Sequence, residues 1–187
     1  MLLVVAATEG ELRGATGLHG IELLTCGIGP VDAAIAVAQR LARGTAPTAL
    51  LHVGIAGARR GSGIDVGSLV VGTGATYCDT ASQLVTRQLE PGAALLRAVR
   101  EAFPDAVATT IGTSADVGGS AACDVEAMEG FAVLRAAALA GVPAIEVRAV
   151  SNEVEEGDRA LWRFDVALDV VAAALPRLVT YCSRASS

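Results

Sequence analysis

Aromatic residues make up only 3% of the 187-residue chain, and histidine occurs twice, at His19 and His52. A core poor in rings has to be filled by Ala, Val, Leu and Ile, and a hydrophobic content of 52% is enough to bury one. Two histidines exclude a His-rich metal centre. They also leave a Ser-His-Asp triad only two candidate bases, and no G-x-S-x-G elbow is present. Cys26, Cys78, Cys123 and Cys182 are dispersed and none forms a C-x-x-C pair, so buried free thiols are expected rather than a zinc site or a redox motif. No Lys/Arg cluster occurs and the net charge is −6, which argues against a nucleic-acid surface. No apolar run reaches membrane-spanning length. The opening "MLLVVAATEG" is too short for a secretory signal and lacks its basic start. The expectation is a soluble cytoplasmic protein.

Strands and helices alternate in the residues that are present. "LLVVAA" (2–7) is a continuous apolar run ended by a polar loop, and residues 21–26 give a second short strand. Pro30 opens a helical stretch that closes on Gly44. "TALLHVGIAGA" is a buried strand running into a glycine-rich loop, and "DVGSLVVGTGATYCD" an extended segment with glycine breaks. "GAALLRAVREAF" and "EGFAVLRAAALAG" are helical in composition, and "AVATTIGTSAD" and "PAIEVRAVSN" read as strands. Residues 158–179 form a long closing helix that Pro176 is expected to kink or shorten. This order implies an α/β, three-layer fold with a central mixed, largely parallel sheet flanked by helices. It forms a single domain over residues 1–182, with 183–187 as a frayed tail.

In such sheets ligands sit beyond the carboxyl ends of the strands. Those ends offer Glu9, Glu11, Asp116 and Asn152. The glycine loops "GIGP" and "GIAGA" match neither the dinucleotide fingerprint nor a Walker loop. They read first as turns, and they also let a flat ring approach the backbone. "CDVEAMEGFAV" places Asp124, Glu126 and Glu129 in an apolar stretch, where a dry, unpaired carboxylate is costly. Such acids either cap a helix or hold something polar in a site.

Five segments in order, "AATEGE", "CGIGPVDAA", "VGIAGA", "VEAMEGFAV" and "VRAVSN", resemble the purine nucleoside phosphorylase and nucleosidase superfamily over nearly the whole chain. The resemblance implies that Met128 packs on a ribose face and that Glu129 accepts from the ribose hydroxyls. It implies that Glu11, with Glu9 as the alternative, helps to activate an attacking water. Asp124 and Glu126 are then left to cap or to face solvent. Ile55, Ala56 and Gly57 in the middle loop join the substrate-binding set, as does Arg148, placed to pair with a site carboxylate. The resemblance implies no metal or organic cofactor, and members of the superfamily are commonly homodimers or larger homo-oligomers.

Members that cleave adenine nucleosides carry an Asp where this chain has Asn152, next to Ser151. An amide donates to a purine O6 or N7 and supplies no acidic proton, so Asn152 favours a 6-oxopurine. The stretch "VSNEVEEGDRALWR" is similar to the corresponding stretch of the futalosine hydrolase branch. That branch releases hypoxanthine from futalosine in the futalosine route to menaquinone. The benzoate carboxylate of futalosine needs a cationic partner, and Arg159, Arg163, Arg59 and Arg60 are the candidates. Trp162, the only tryptophan, has core packing as its default role. The compact segment 114–122 belongs to a region that often helps to wrap the base. The alternatives are a methylthioadenosine/adenosylhomocysteine nucleosidase, a phosphorylase, and a non-catalytic nucleoside-binding module.

Overall fold

The computed structural model describes residues 1–118 and 123–186. Strand β1 (Leu2–Ala6) pairs in parallel with β2 (Ile21–Thr25) on one side and with β3 (Ala49–Ala58) on the other. Side chains alternate across a strand. Leu2, Val4 and Ala6 therefore enter one apolar layer, and Leu3 and Val5 the other. That is why the segment is apolar throughout instead of alternating. The first layer is completed by α2 (Ala93–Ala102) and α4 (Phe164–Ala185), the second by α1 (Pro30–Leu41) and α3 (Gly130–Leu139).

Beyond β3 the sheet curls on itself. β3 runs parallel to β8 (Ala144–Glu153), and β8 antiparallel to β4 (Leu69–Tyr77). β4 is parallel to β6 (Val107–Thr113), β6 is parallel to β7 (Val125–Ala127), and β7 returns antiparallel to β3 at Gly57 and Ala58. β5 (Gln88–Leu89) is a short edge on β4. The three-layer, mixed and largely parallel architecture is the expected one.

Several boundaries differ from the sequence reading. "GIAGA" is not a loop, because β3 continues through it and shifts register at Ala56/Gly57. The glycine breaks of the next segment are a register shift between Gly72 and Gly74 within one strand. β7 is too short for a periodic signal, and it was not anticipated. The closing helix starts at Phe164 instead of at residue 158. Arg159–Leu161 form a separate 3-10 turn whose Ala160 N–H donates to Asp158 Oδ1. Pro176 does not shorten α4, which continues to Ala185, past the anticipated domain end. Cys182 is fully buried there, and the Ser186 hydroxyl donates to its carbonyl at 2.9 Å and accepts from the Thr48 hydroxyl at 3.3 Å. Ser187 and residues 119–122 lie outside the described residues. By length and composition α4 passes as a membrane span, but Ala167, Val171, Ala174, Leu175, Leu178 and Cys182 bury one face of it in the protein. Of the free thiols, Cys26 and Cys182 are buried as expected, whereas Cys78 and Cys123 are only half-buried.

Candidate active site

The polar loop after β1 is a 3-10 turn, Glu9–Ala15. Glu11 closes it on Thr8: its Oε2 accepts from the Thr8 N–H and hydroxyl, both at 2.9 Å. Oε1 accepts from the Ile55 N–H of β3 at 3.1 Å, which ties the end of β1 to the middle strand. Glu11 is buried at the wall of a cavity of about 350 Å3. Glu9 is exposed and stands outside it.

Glu129 stands immediately before α3. Its Oε1 accepts from the Gly29 N–H at 3.0 Å and its Oε2 from Arg148 Nη2 at 3.2 Å. Gly29 adopts φ 93°, a conformation suited to glycine, so the "GIGP" turn presents its N–H to this carboxylate. Arg148, on β8, is 1% exposed. It donates from Nε to Glu146 Oε1 at 2.8 Å, from Nη1 to the Ile55 carbonyl at 3.3 Å and from Nη2 to His52 Nε2 at 2.6 Å. His52 Nδ1 lies 3.0 Å from the Val5 carbonyl, so Nδ1 carries the proton and Nε2 accepts. Burial, reinforced by the adjacent Arg148 charge, holds His52 well below its ordinary pKa and leaves it neutral. Burial pushes the Glu146 carboxyl up; the Arg148 charge opposes this and Glu129 adds to it. Glu146 Oε2 has no hydrogen-bond partner among the described residues. It packs against Gly130, where a Cβ would come within 2.1 Å of it.

Asn152 is the last buried residue of β8. The Ser151 hydroxyl lies 2.7 Å from Asn152 Oδ1, and Asn152 Nδ2 donates to the Glu153 carbonyl at 2.8 Å. One Nδ2 hydrogen remains to be donated. A Cβ on Gly57 would stand 3.1 Å from this nitrogen, so the glycine keeps the amide's place open.

The cavity gathers every proposed site residue: Glu11, Ile55, Ala56, Gly57, Met128, Glu129, Arg148, Ser151 and Asn152. Asp116 and Asp124 are exposed and outside it. Arg59, Arg60 and Arg163 are not in its wall. They pair with Glu126, Glu153 and Asp165 respectively. Arg159 does line it, and so does Trp162, which stands at the cavity instead of in the core. Glu126, expected to cap or face solvent, is instead buried on β7 and lines the cavity. Its Oε2 accepts from Arg59 at 3.2 Å and its Oε1 from the Gly118 N–H at 2.9 Å. The sequence signal was an acid flanked by Val125 and Ala127, a pattern legible only once a strand is recognised there. Val117 supplies the contribution of segment 114–118 to the wall. Among the described residues no group of three His, Cys, Asp or Glu is placed to hold a metal ion.

A mixed sheet curls around a cavity with carboxylates beside the ends of two strands and an amide at a third. The chain belongs to the phosphorylase superfamily, whose family profile matches residues 8–117. It is similar to futalosine hydrolase of Streptomyces coelicolor, with 36% identity over 202 residues, 91% of this chain and 85% of that protein. Among solved structures, a futalosine hydrolase mutant of Helicobacter pylori strain 26695 superposes with a TM-score of 0.82 at 17% identity, covering 96% of this chain and 98% of that one. The 5'-methylthioadenosine/S-adenosylhomocysteine nucleosidase of Neisseria meningitidis, in complex with methylthio-immucillin-A, gives 0.79 at 20% identity, with 98% of each chain covered. The two structures share this chain's fold.

Proposed function

We infer that this chain hydrolyses the N-glycosidic bond of futalosine, releasing hypoxanthine and dehypoxanthine futalosine. The observation that carries the reading is Asn152, held at the cavity wall with Oδ1 facing the Ser151 hydroxyl and one Nδ2 hydrogen free. Hypoxanthine presents acceptors at O6 and N7, whereas adenine presents a donor at position 6. As the bond from C1′ to N9 breaks, the electron pair leaves with the purine, and the Asn152 amide donates to the charge that gathers on its O6/N7 edge. The ribosyl group becomes cationic. Glu129, with both oxygens already oriented, accepts from the sugar hydroxyls and favours that cation electrostatically. Glu11 takes a proton from the water that attacks C1′, and the departing purine anion gains a proton from solvent to leave as hypoxanthine. Met128 packs on the sugar. The 36% identity to a futalosine hydrolase supports the substrate. The arginines that follow the middle strand pair with Glu126, Glu155 and Glu153, which weighs against a phosphorylase reading that would use them for phosphate.

The test is to incubate the protein with futalosine, inosine and methylthioadenosine, each with and without phosphate, and to follow free base by chromatography. Hypoxanthine from futalosine without phosphate is the expected result. Adenine from methylthioadenosine, or release only with phosphate, overturns the proposed branch, and binding without turnover overturns catalysis. The proposal extends to a cytoplasmic homo-oligomer acting in the futalosine route to menaquinone. Val31 and Ile35, exposed one turn apart on α1, support a subunit contact.

A further inference from the structure

The cavity contains a cation that the reaction above does not use. We propose that Arg159, with the rings of Trp162 and Phe164, forms a subsite for a carboxylate on an aromatic group that the substrate carries beyond its ribose; the inference rests on the nucleosidase reading of the cavity. Two arginines line the wall. Arg148 is consumed by Glu146, Glu129, His52 and the Ile55 carbonyl. Arg159 has no ion-pair partner among the described residues, although acids flank it in sequence. Those acids hold the backbone instead: Glu156 Oε1 accepts from the Asp158 N–H at 2.9 Å and Asp158 Oδ1 from the Ala160 N–H at 3.0 Å.

The surroundings suit a flat anion. The Arg159 guanidinium lies 5.6 Å from the centre of the Trp162 ring, and the Trp162 and Phe164 rings are 5.4 Å apart and tilted by 45°. The indole N–H donates to the Glu156 carbonyl at 2.9 Å, which holds the ring in place. A guanidinium resting on a ring keeps its edge free for a bidentate carboxylate, and the rings offer an aryl group a stacking surface. Charge makes the cation necessary. Glu11, Glu126 and Glu129 line the same wall in a chain of net charge −6, so an anionic substrate meets repulsion unless a cation receives it. Asn152 is taken by the base and Glu129 by the sugar, which leaves the third part of the substrate to Arg159. The benzoate of futalosine has this chemistry.

Trp162 is the chain's only tryptophan, so its fluorescence reports on this corner. The probes are 4-acetylbenzoate and its methyl ester, titrated into the wild type, Arg159→Met and Arg159→Lys. The wild type is expected to bind the acid about tenfold more tightly than the ester, Arg159→Met to lose that preference, and Arg159→Lys to keep part of it. In turnover, Arg159→Met is expected to lower kcat/KM for futalosine about tenfold relative to futalosine methyl ester, mainly through KM. Equal binding of acid and ester by the wild type, or an acid preference that survives in Arg159→Met, overturns the proposal. If the acid preference holds but futalosine is not cleaved, the hydrolase reading falls and the anion subsite stands. Cleavage of futalosine without any acid preference means the reverse.

Discussion

One guanidinium holds two carboxylates that end in different situations. Glu129 and Glu146 both accept from Arg148. Glu129 receives a second bond from Gly29 and opens on the cavity, while one oxygen of Glu146 is buried with no hydrogen-bond partner among the described residues. Glu11 needs its charge and its position at once. Glu11→Gln is expected to cut kcat by about 10²- to 10⁴-fold with little change in substrate binding, measured by steady-state kinetics with futalosine. Equal activity would remove Glu11 from the proposed role. Asn152→Asp exchanges a donor for an acceptor and should raise the ratio of adenosine to inosine cleavage; an unchanged ratio refutes the base-reading assignment. At this scale the sequence, through its strand ends and the superfamily resemblance, pointed to Glu11, Met128, Glu129 and Asn152, and all four stand at the cavity. It was not informative about Glu126, since the Arg59 that pairs with it is 67 residues away.

The 3-10 turn that carries Glu11 is placed by its packing on α4. Pro176 has no N–H to offer the Ala172 carbonyl one turn before it, and that carbonyl faces Gly14. A Cβ on Gly14 would lie 2.4 Å from the Ala172 oxygen, so backbone would have to move. Gly14→Ala is therefore expected to cost about 1–3 kcal/mol and to lower kcat/KM by shifting Glu11, read by thermal denaturation together with kinetics. An unchanged Tm would show that the turn yields without strain. Helices and long strands were legible from apolar runs and from glycine and proline punctuation. The start of α4 was not, because residues 159–161 have helical composition but the chain there turns to bring Trp162 to the cavity.

At the scale of the whole molecule, two buried groups outside the cavity wall shape the response to pH. His52 has an ordinary pKa of 6.5 and is held well below it. As pH falls through 6.5 the unfolded chain takes up a proton that the folded chain refuses, so stability present above that pH is lost. Glu146 is displaced the other way from 4.5. The folded chain keeps a proton that the unfolded chain has released, so its contribution is complete below pH 4.5 and is lost as pH rises through the raised value. Melting curves from about pH 4 to pH 8 test both signs. His52→Asn is expected to weaken the acid-side loss, and Glu146→Gln to weaken the loss on raising pH. A profile unchanged by either substitution contradicts the assignment.

By itself the sequence determined the layered α/β architecture, the family, and the residue types at the ends of the strands. These follow from local patterns: apolar runs, helical composition, punctuation, and the order of short motifs. Only the tertiary structure put Glu11 at the cavity wall and Glu9 outside it, brought Glu126 into the cavity, and separated Arg159 from the three arginines already paired. Those outcomes depend on contacts between residues far apart in the chain, such as Ile55 with Glu11 and Arg59 with Glu126. Burial and pairing are properties of the packed chain, and no local window of sequence contains both partners.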